Sequence, residues 1–503
     1  MKIFDLFCLI SALFFFICGI SIATPVPISK PQNELLASQS QHSNELDQKN
    51  LFDMTRRGVV AITVKAHLIL DKYINQKLWY GTGFIVDTEH GIIVTNAHVA
   101  GEMSVCTYEV KFGDGKSAEA RLEYIDPCYD FAVLSVNKKD LPQYTRALKI
   151  SNTPLSINTE IYSMGNSSNN EFSTYKGYVF DTESILWLKP IAEQSFQFSG
   201  LTVPGASGSP VLNKKGEVVG ILYGGKLVSG AALPISYIKP VIDSIKDKKK
   251  FHRYFYGFIL NYASLQDAIS AENIPESLIE EYEKEFPNSN NKVLYVSKKL
   301  SAFGADNSEL KSGDIIWKVD GELIGARLKR IDEIVQEKAG KPILLTIYRN
   351  GEKKEIETPT FEMSTSSKMK LLSFAGTTFF ETTPELKINL GKNNSGVYIS
   401  DSEAGSAFMD ISSPSNDGCP IGGAQIVSID GKKVSSIDDV ADIIPSLFKK
   451  KVFNVKFIKL GVDPQECSIT TKYSPEFAEA TMYTFNQSDK KWDVRAIKNP
   501  KQE

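Results

Sequence analysis

Histidine is the scarcest catalytic resource in this chain. Its 503 residues hold only five: His42, His67, His90, His98 and His252. Any chemistry that needs an imidazole must draw on that short list. Cysteine is nearly as sparse, and Cys106, Cys128, Cys419 and Cys467 show no metal-ligand spacing, so no metal site is expected. Those four allow three full pairings; the local one joins Cys106 to Cys128 and Cys419 to Cys467, and four buried thiols are the alternative. Strong charge of one sign is also missing. Lys and Arg number 57 against 60 Asp and Glu, a net charge of -3, which speaks against a nucleic-acid partner. After the first two dozen residues no apolar run is long enough to span a bilayer, so no stable membrane span is expected.

The one long apolar run opens the chain. Lys2 is followed by apolar residues from Leu6 to about Ile20, with Ser21 and Ala23 at the small-residue positions before a cut near Ala23–Thr24. This pattern predicts a signal peptide over residues 1–23 and an exported protein, in a periplasm, a secretory lumen or outside the cell. Residues 24–50 are polar, rich in Pro, Gln, Ser and Asn, and read as a flexible leader.

From 51 to 248 the chain is a series of short apolar and β-branched runs broken by Gly, Asn and Asp: "GVVAITV", "GTGFIVD", "GIIVTNAHV", "DFAVLSV", "GEVVGILYGG". Many short strands with turn signals predict a barrel or sandwich. "DSIKDKKKFHR", Asp243–Arg253, reads as a helix end and a solvated basic linker. Two similar segments follow, expected over 252–360 and 366–475, with 476–503 as a C-terminal extension. Each has an apolar strand, a Gly-containing loop, a strand ending in Asp-Gly (Asp320–Gly321, Asp430–Gly431) and then a helical stretch. They predict a duplicated α+β domain.

His98 ends an apolar strand in "TNAHVA". Asp130 opens the buried run "FAVLSV", where a carboxylate is costly unless paired, and an imidazole N–H suits it. Asp126, just upstream, fits the role of turn cap. Ser207 lies in "VPGASGSP" between Gly205 and Gly208, residues that open backbone angles closed to others. A histidine, an aspartate and a serine, each at the edge of an apolar strand, form a base, its orienter and a nucleophile.

With "GTGFIVD", "IIVTNAHV", "DFAVLSV", "YSMGNSS" and "GASGSPVLNKKGEVVGI", the chain resembles the HtrA (Deg) serine proteases from about Leu51 to its end, in the branch whose nucleophile loop ends Ser-Gly-Ser-Pro. The resemblance implies a mainly β fold, a chymotrypsin-like double β-barrel followed by two α+β PDZ-type domains. It implies a trypsin-like serine endopeptidase with Ser207 as nucleophile, His98 as general base and Asp130 as orienter, with an oxyanion hole from the backbone of Gly205, Ala206 and Ser207. No cofactor is required. Leu201, Thr202, Val203, Leu222, Tyr223 and Gly224 would line an aliphatic substrate pocket. Ser209, where the usual bacterial members have glycine, marks the branch.

Tyr256, Gly257, Phe258 and Ile259 would form the carboxylate loop of the first PDZ domain, taking C-terminal or internal peptides. "FAGTTF" is a poorer version in the second. The acidic stretch Pro275–Lys292 would cover the first groove. The expected work is ATP-independent protein quality control on unfolded or damaged polypeptides, with a homotrimer as the family's usual assembly. A catalytically idle chaperone or scaffold, and a dedicated processing protease activated by a peptide, are the alternatives.

Overall fold

The computed structural model describes residues 50–498, apart from 71–76, 103, 168–169, 187–190, 192, 201, 227, 288–290, 301–307, 364–369, 383–394, 401, 404, 410, 412–423, 460–464, 473–474, 478 and 487. Both the predicted signal peptide and all but the last residue of the leader lie outside the described residues.

Two closed six-stranded barrels come first. The first uses β1 (Val59–Ile69), β2 (Leu78–Asp87), β3 (Ile92–Thr95), β4 (Ser104–Phe112), β5 (Ser117–Ile125) and β6 (Ala132–Ser135), in the order β1-β2-β3-β6-β5-β4. The second uses β7 (Glu160–Ser167), β8 (Asn170–Leu186), β9 (Glu193–Ser199), β10 (Pro210–Asn213), β11 (Val218–Lys226) and β12 (Ser229–Pro234), in the order β10-β11-β12-β9-β8-β7. Side chains alternate across each strand. On β1, Val60, Ile62 and Val64 enter the first barrel's core, while on β3 Ile93 faces that core and Val94 faces the second barrel. The second barrel encloses Ile161, Val179, Phe196, Phe198, Val211 and Leu222. A short helix, α1 (Ala97–Ala100), follows β3, and α2 (Lys239–Lys246) closes the two-barrel unit.

The next domain begins with β13 (Arg253–Phe255), β14 (Phe258–Ser264), α3 (Leu265–Glu272), α4 (Glu276–Glu285), β15 (Lys292–Lys299), β16 (Ile315–Val319) and β17 (Glu322–Leu323). It ends with α5 (Leu328–Lys338), β18 (Ile343–Arg349), β19 (Glu352–Thr358) and β20 (Phe361–Met363). Its sheet runs β14-β15-β16-β18-β19, so β14 is an edge strand; β13 pairs with β20 apart from it. Asp320 and Gly321 both have positive φ, as an Asp-Gly hairpin requires. Helix α4 of the acidic stretch packs on the face of the sheet away from α5. Tyr282, on α4, is fully buried against Trp317 on the face of the sheet opposite to Ile316, which packs with α5.

The basic linker reading fails at its last residue. Lys248, Lys249 and Lys250 are exposed, but Arg253 is only 1% exposed and pairs with Asp126 and Asp332.

The last domain holds β21 (Lys370–Phe374), β22 (Thr377–Glu381), β23 (Val397–Ile399), β24 (Ala424–Ile429), β25 (Lys432–Lys433), α6 (Ile437–Leu447), β26 (Val452–Lys459), β27 (Gln465–Lys472), β28 (Ala480–Asn486) and β29 (Lys491–Ala496). Its main path is β27-β26-β24-β23-β22-β21-β28-β29. β28 and β29 are therefore strands of this sheet rather than an extension beyond 475, because β28 pairs with β21 along its length. "FAGTTF" is also not an open loop. Ala375 and Gly376, both at positive φ, form a two-residue turn that folds β21 back onto β22. Both edges of β22 are thus occupied, and β21 lies against α6 through Lys370–Asp438.

Of the two alternatives for Cys106 and Cys128, the structure shows buried thiols rather than a bond between them. Cys106 belongs to the first barrel's core and Cys128 to the packing between the barrels and the following domain. Cys467 is also a thiol, and Cys419 lies outside the described residues.

Candidate active site

His98 sits on α1, directly after β3 of the first barrel. Its carboxylate partner comes from the loop before β6. Asp130 Oδ2 lies 2.7 Å from His98 Nδ1, and Asp130 Oδ1 accepts the backbone N–H of His98 at 3.0 Å. The imidazole is half exposed while the carboxylate is 3% exposed. A buried carboxylate bound twice to one residue fixes the ring's orientation and turns Nε2 away from it. Asp87 also binds His90 twice, at its backbone N–H (2.7 Å) and at Nδ1 (3.1 Å), but its carboxylate is 13% exposed rather than buried. His90 and His252 pair with the carboxylates of Asp87 and Glu362 at exposed positions, and His42 is outside the described residues.

The loop carrying Asp130 is tied down on several sides. Asn96 Nδ2 donates to Asp130 O at 2.8 Å, and Asp130 N–H donates to Glu193 Oε2 at 3.4 Å. Asp126 accepts the N–H groups of Cys128 and Tyr129 at 2.9 Å each, so the turn-cap reading of Asp126 holds.

Ser207 follows the turn Val203–Ala206, in which Ala206 N–H donates to Val203 O at 3.1 Å. That N–H is therefore used within the turn. Ser207 Oγ contacts Tyr223 O at 3.5 Å, a long hydrogen bond. Gly205 and Gly208 have φ of +91° and +87°, the left-handed region that favours glycine. Ser209 is buried, and its hydroxyl donates back to Ala206 O at 2.5 Å.

One residue that sequence reasoning passed over holds the loop to the first barrel. Thr82, fully buried on β2, donates its N–H to Ser207 O at 2.8 Å and its hydroxyl to Gly205 O at 2.9 Å. Thr82 Oγ1 also accepts Asn166 N–H at 2.9 Å, and Thr95 Oγ1 donates to Thr82 O at 2.7 Å. The available signal was a polar residue between two glycines inside an apolar strand.

The expected pocket lining is only partly assembled. Leu222 is 2% exposed inside the second barrel, because alternation on β11 turns it to the core. Tyr223 points the other way, and burial together with nearby Glu193 pushes its phenol well above the usual range. It offers its backbone carbonyl rather than a side-chain wall. Thr202 is tied to Lys226 O at 2.7 Å, Gly224 faces open space, and Val203 packs at the margin of the second barrel's core. Leu201 is outside the described residues. Around Gly257, whose φ is +77°, Tyr256, Phe258 and Ile259 are all buried, and Gly257 O accepts Leu300 N–H at 2.9 Å. The outer edge of β14 has no strand beside it among the described residues.

Models of known families match two segments: the trypsin-like peptidase domain over residues 81–221 and the PDZ domain over residues 286–360. Among curated proteins, the chain is similar to the pro-apoptotic serine protease NMA111 of Chaetomium globosum, 26% identical over 383 residues, 73% of this chain and 35% of the relative. Its likeness to the protein of that name in Saccharomyces cerevisiae is 25% over 431 residues, 83% of this chain and 42% of the relative. The chain thus spans less than half the length of these relatives. Two solved structures are similar to it. An HtrA-type protease AlgW with tripeptide is 21% identical with a TM-score of 0.47, covering 63% of this chain and 97% of that one. The serine endoprotease from Yersinia pestis is 20% identical with a TM-score of 0.42, covering 63% and 98%. The expectation of an exported protein is corrected by these comparisons. The relatives are fungal proteases described as pro-apoptotic, and their description does not mark an exported enzyme.

Proposed function

We propose that the chain, which matches the trypsin-like peptidase domain over residues 81–221 and the PDZ domain over residues 286–360, is a serine endopeptidase that cleaves unfolded or damaged polypeptides through His98, Asp130 and Ser207. The observation that carries this reading is the buried Asp130 carboxylate bound twice to His98.

With Nδ1 held by Asp130, Nε2 of the neutral imidazole is the basic nitrogen. Ser207 Oγ attacks the peptide carbonyl carbon as its proton passes to Nε2, and the carbonyl π electrons move onto oxygen. Gly205 and Ser207 N–H groups stabilise that oxyanion; loss of one such donor typically costs about 3–4 kcal/mol. The C–N bond then breaks as the imidazolium gives its proton to the leaving amine. Water, deprotonated by His98, attacks the acyl ester; Ser207 takes the proton back and the acid is released. Asp130 keeps the tautomer and stabilises the imidazolium throughout.

The first PDZ-type domain would bind peptides by strand addition at β14. The second would not, since β21 already fills the edge that a peptide would use.

The test is labelling with a fluorophosphonate and mapping of the modified residue. Ser207 should carry the label, and Ser207→Ala should abolish both labelling and casein cleavage. Cleavage that survives Ser207→Ala refutes the assignment.

A further inference from the structure

The buried guanidinium of Arg253 takes no part in the chemistry above, yet it sits behind the loop that presents Asp130. Its Nε and Nη2 donate to Asp126 Oδ2 at 2.9 and 2.5 Å, and Nη1 reaches Asp332 Oδ2 at 3.4 Å. Tyr124 OH also donates to Asp126 Oδ2, at 2.9 Å. The other oxygen of Asp126 takes the N–H groups of Cys128 and Tyr129, so one carboxylate shapes the turn that ends in Asp130. Tyr129, next to Asp130, donates its hydroxyl to Asp332 Oδ1 at 2.7 Å, and the guanidinium carbon lies 5.0 Å from its ring centroid. Asp332 is on α5, and Arg253 opens β13. Both belong to the domain after the barrels.

We infer that Arg253 is a positioning residue for the catalytic centre: it locks the turn Asp126–Asp130, and with it the orientation of His98, from outside the two barrels. This rests on the reading of Asp130 as the orienter of His98.

Two carboxylates share this one buried cation. Burial pushes the Asp332 carboxyl above its ordinary value, and Arg253 pulls it back. Without the guanidinium, Asp126 would be left as an uncompensated buried charge. It would then seek water or a proton, and the turn would shift. A second contact grips the same region: Gln194, beside Glu193, accepts Lys329 N–H from α5 at 3.0 Å. A displacement of about 1 Å in a catalytic group can cost roughly a hundredfold in rate.

A purely structural role for Arg253 makes a different forecast. It would reduce the amount of folded enzyme equally at every pH. A positioning role acts through the imidazolium. A looser Asp130 stabilises protonated His98 less, so the acid limb of kcat/KM moves to lower pH while kcat falls.

The experiment compares the full chain with Arg253→Met and Arg253→Lys on a fluorescent casein, with active sites counted by fluorophosphonate. Expected for Arg253→Met are a kcat per active site lowered by about tenfold or more, KM within about twofold, and the shifted acid limb, with Arg253→Lys in between. Should Arg253→Met fail to fold, Arg253→Met/Asp126→Asn/Asp332→Asn removes all three charges, keeps the amide oxygen as turn acceptor, and is expected to give the same kinetic signature. Wild-type kcat per active site and an unmoved acid limb in a folded variant overturn the inference. A wild-type chain that neither labels at Ser207 nor cleaves casein overturns the proposed function instead.

Discussion

Thr82 holds Gly205 across the seam between the barrels, its hydroxyl 2.9 Å from the glycine carbonyl. Together with the bond from Thr82 N–H to Ser207 O, this ties the loop at two carbonyls, Gly205 and Ser207, to a strand of the other barrel.

Thr82→Val keeps the shape and removes the hydroxyl. Gly205 O and Asn166 N–H then lose a buried partner, at a cost of about 1–3 kcal/mol. Steady-state kinetics should show kcat lowered by roughly tenfold or more with KM little changed. A wild-type kcat would show that the loop holds itself.

Gly208 and Gly115 share a φ of +87° but differ in surroundings. A Cβ on Gly208 would come within 1.9 Å of Thr82 O, whereas one on Gly115 would meet nothing within 4 Å. Gly115→Ala should cost only the left-handed strain, about 1–2 kcal/mol. Gly208→Ala should cost distinctly more and abolish fluorophosphonate labelling. Equal melting temperatures for the two variants would contradict this.

Glu160 anchors the mouth of β7. Burial pushes its carboxyl up, but hydrogen bonds from Tyr162 and Lys176 and the charge of Lys214 outweigh this and lower it to about 2. A carboxyl depressed on folding adds stability above its unfolded value, and that stability is lost as pH falls through the folded one. Glu160→Gln should therefore lower the melting temperature near neutrality and flatten its decline between about pH 4.5 and 2. Parallel melting curves for the two proteins across that window would refute it.

Burial pushes the Cys106 thiol up to about 12. The thiolate is the reactive form, so Cys106 should resist iodoacetamide at pH 8 in the native chain and react in denaturant. Cys467, partly exposed on β27, should be alkylated natively. Peptide mapping of the alkylated sites decides it, and native modification of Cys106 would go against the packing described.

Much of this protein can be read along the chain. Period-two apolar runs and Asp-Gly hairpins are local features, and they were enough to foresee short strands closing into a barrel or sandwich and the later strand–turn–helix segments; the double barrel was implied by the family resemblance, and Asp130 paired with an imidazole as a buried carboxylate should. Exposure was less legible. Leu222 looked like pocket lining because its neighbours were small and aliphatic, but strand alternation sends it to the core.

Local pattern alone determined which segments form strands and which glycines must turn, because backbone sterics and alternation act over a few residues. Tertiary structure alone decided what distant segments supply. Thr82 meets Gly205 across 123 positions, and Arg253 meets Asp126 across 127. A threonine in an apolar strand and an arginine ending a lysine run carry no local mark of such partners. Their roles come from desolvation: each is buried where an unpaired donor or charge would be costly, and only the fold brings the partner there. The same holds for β21, whose pattern is that of any apolar strand until it folds onto β22 and takes the edge that a peptide would need.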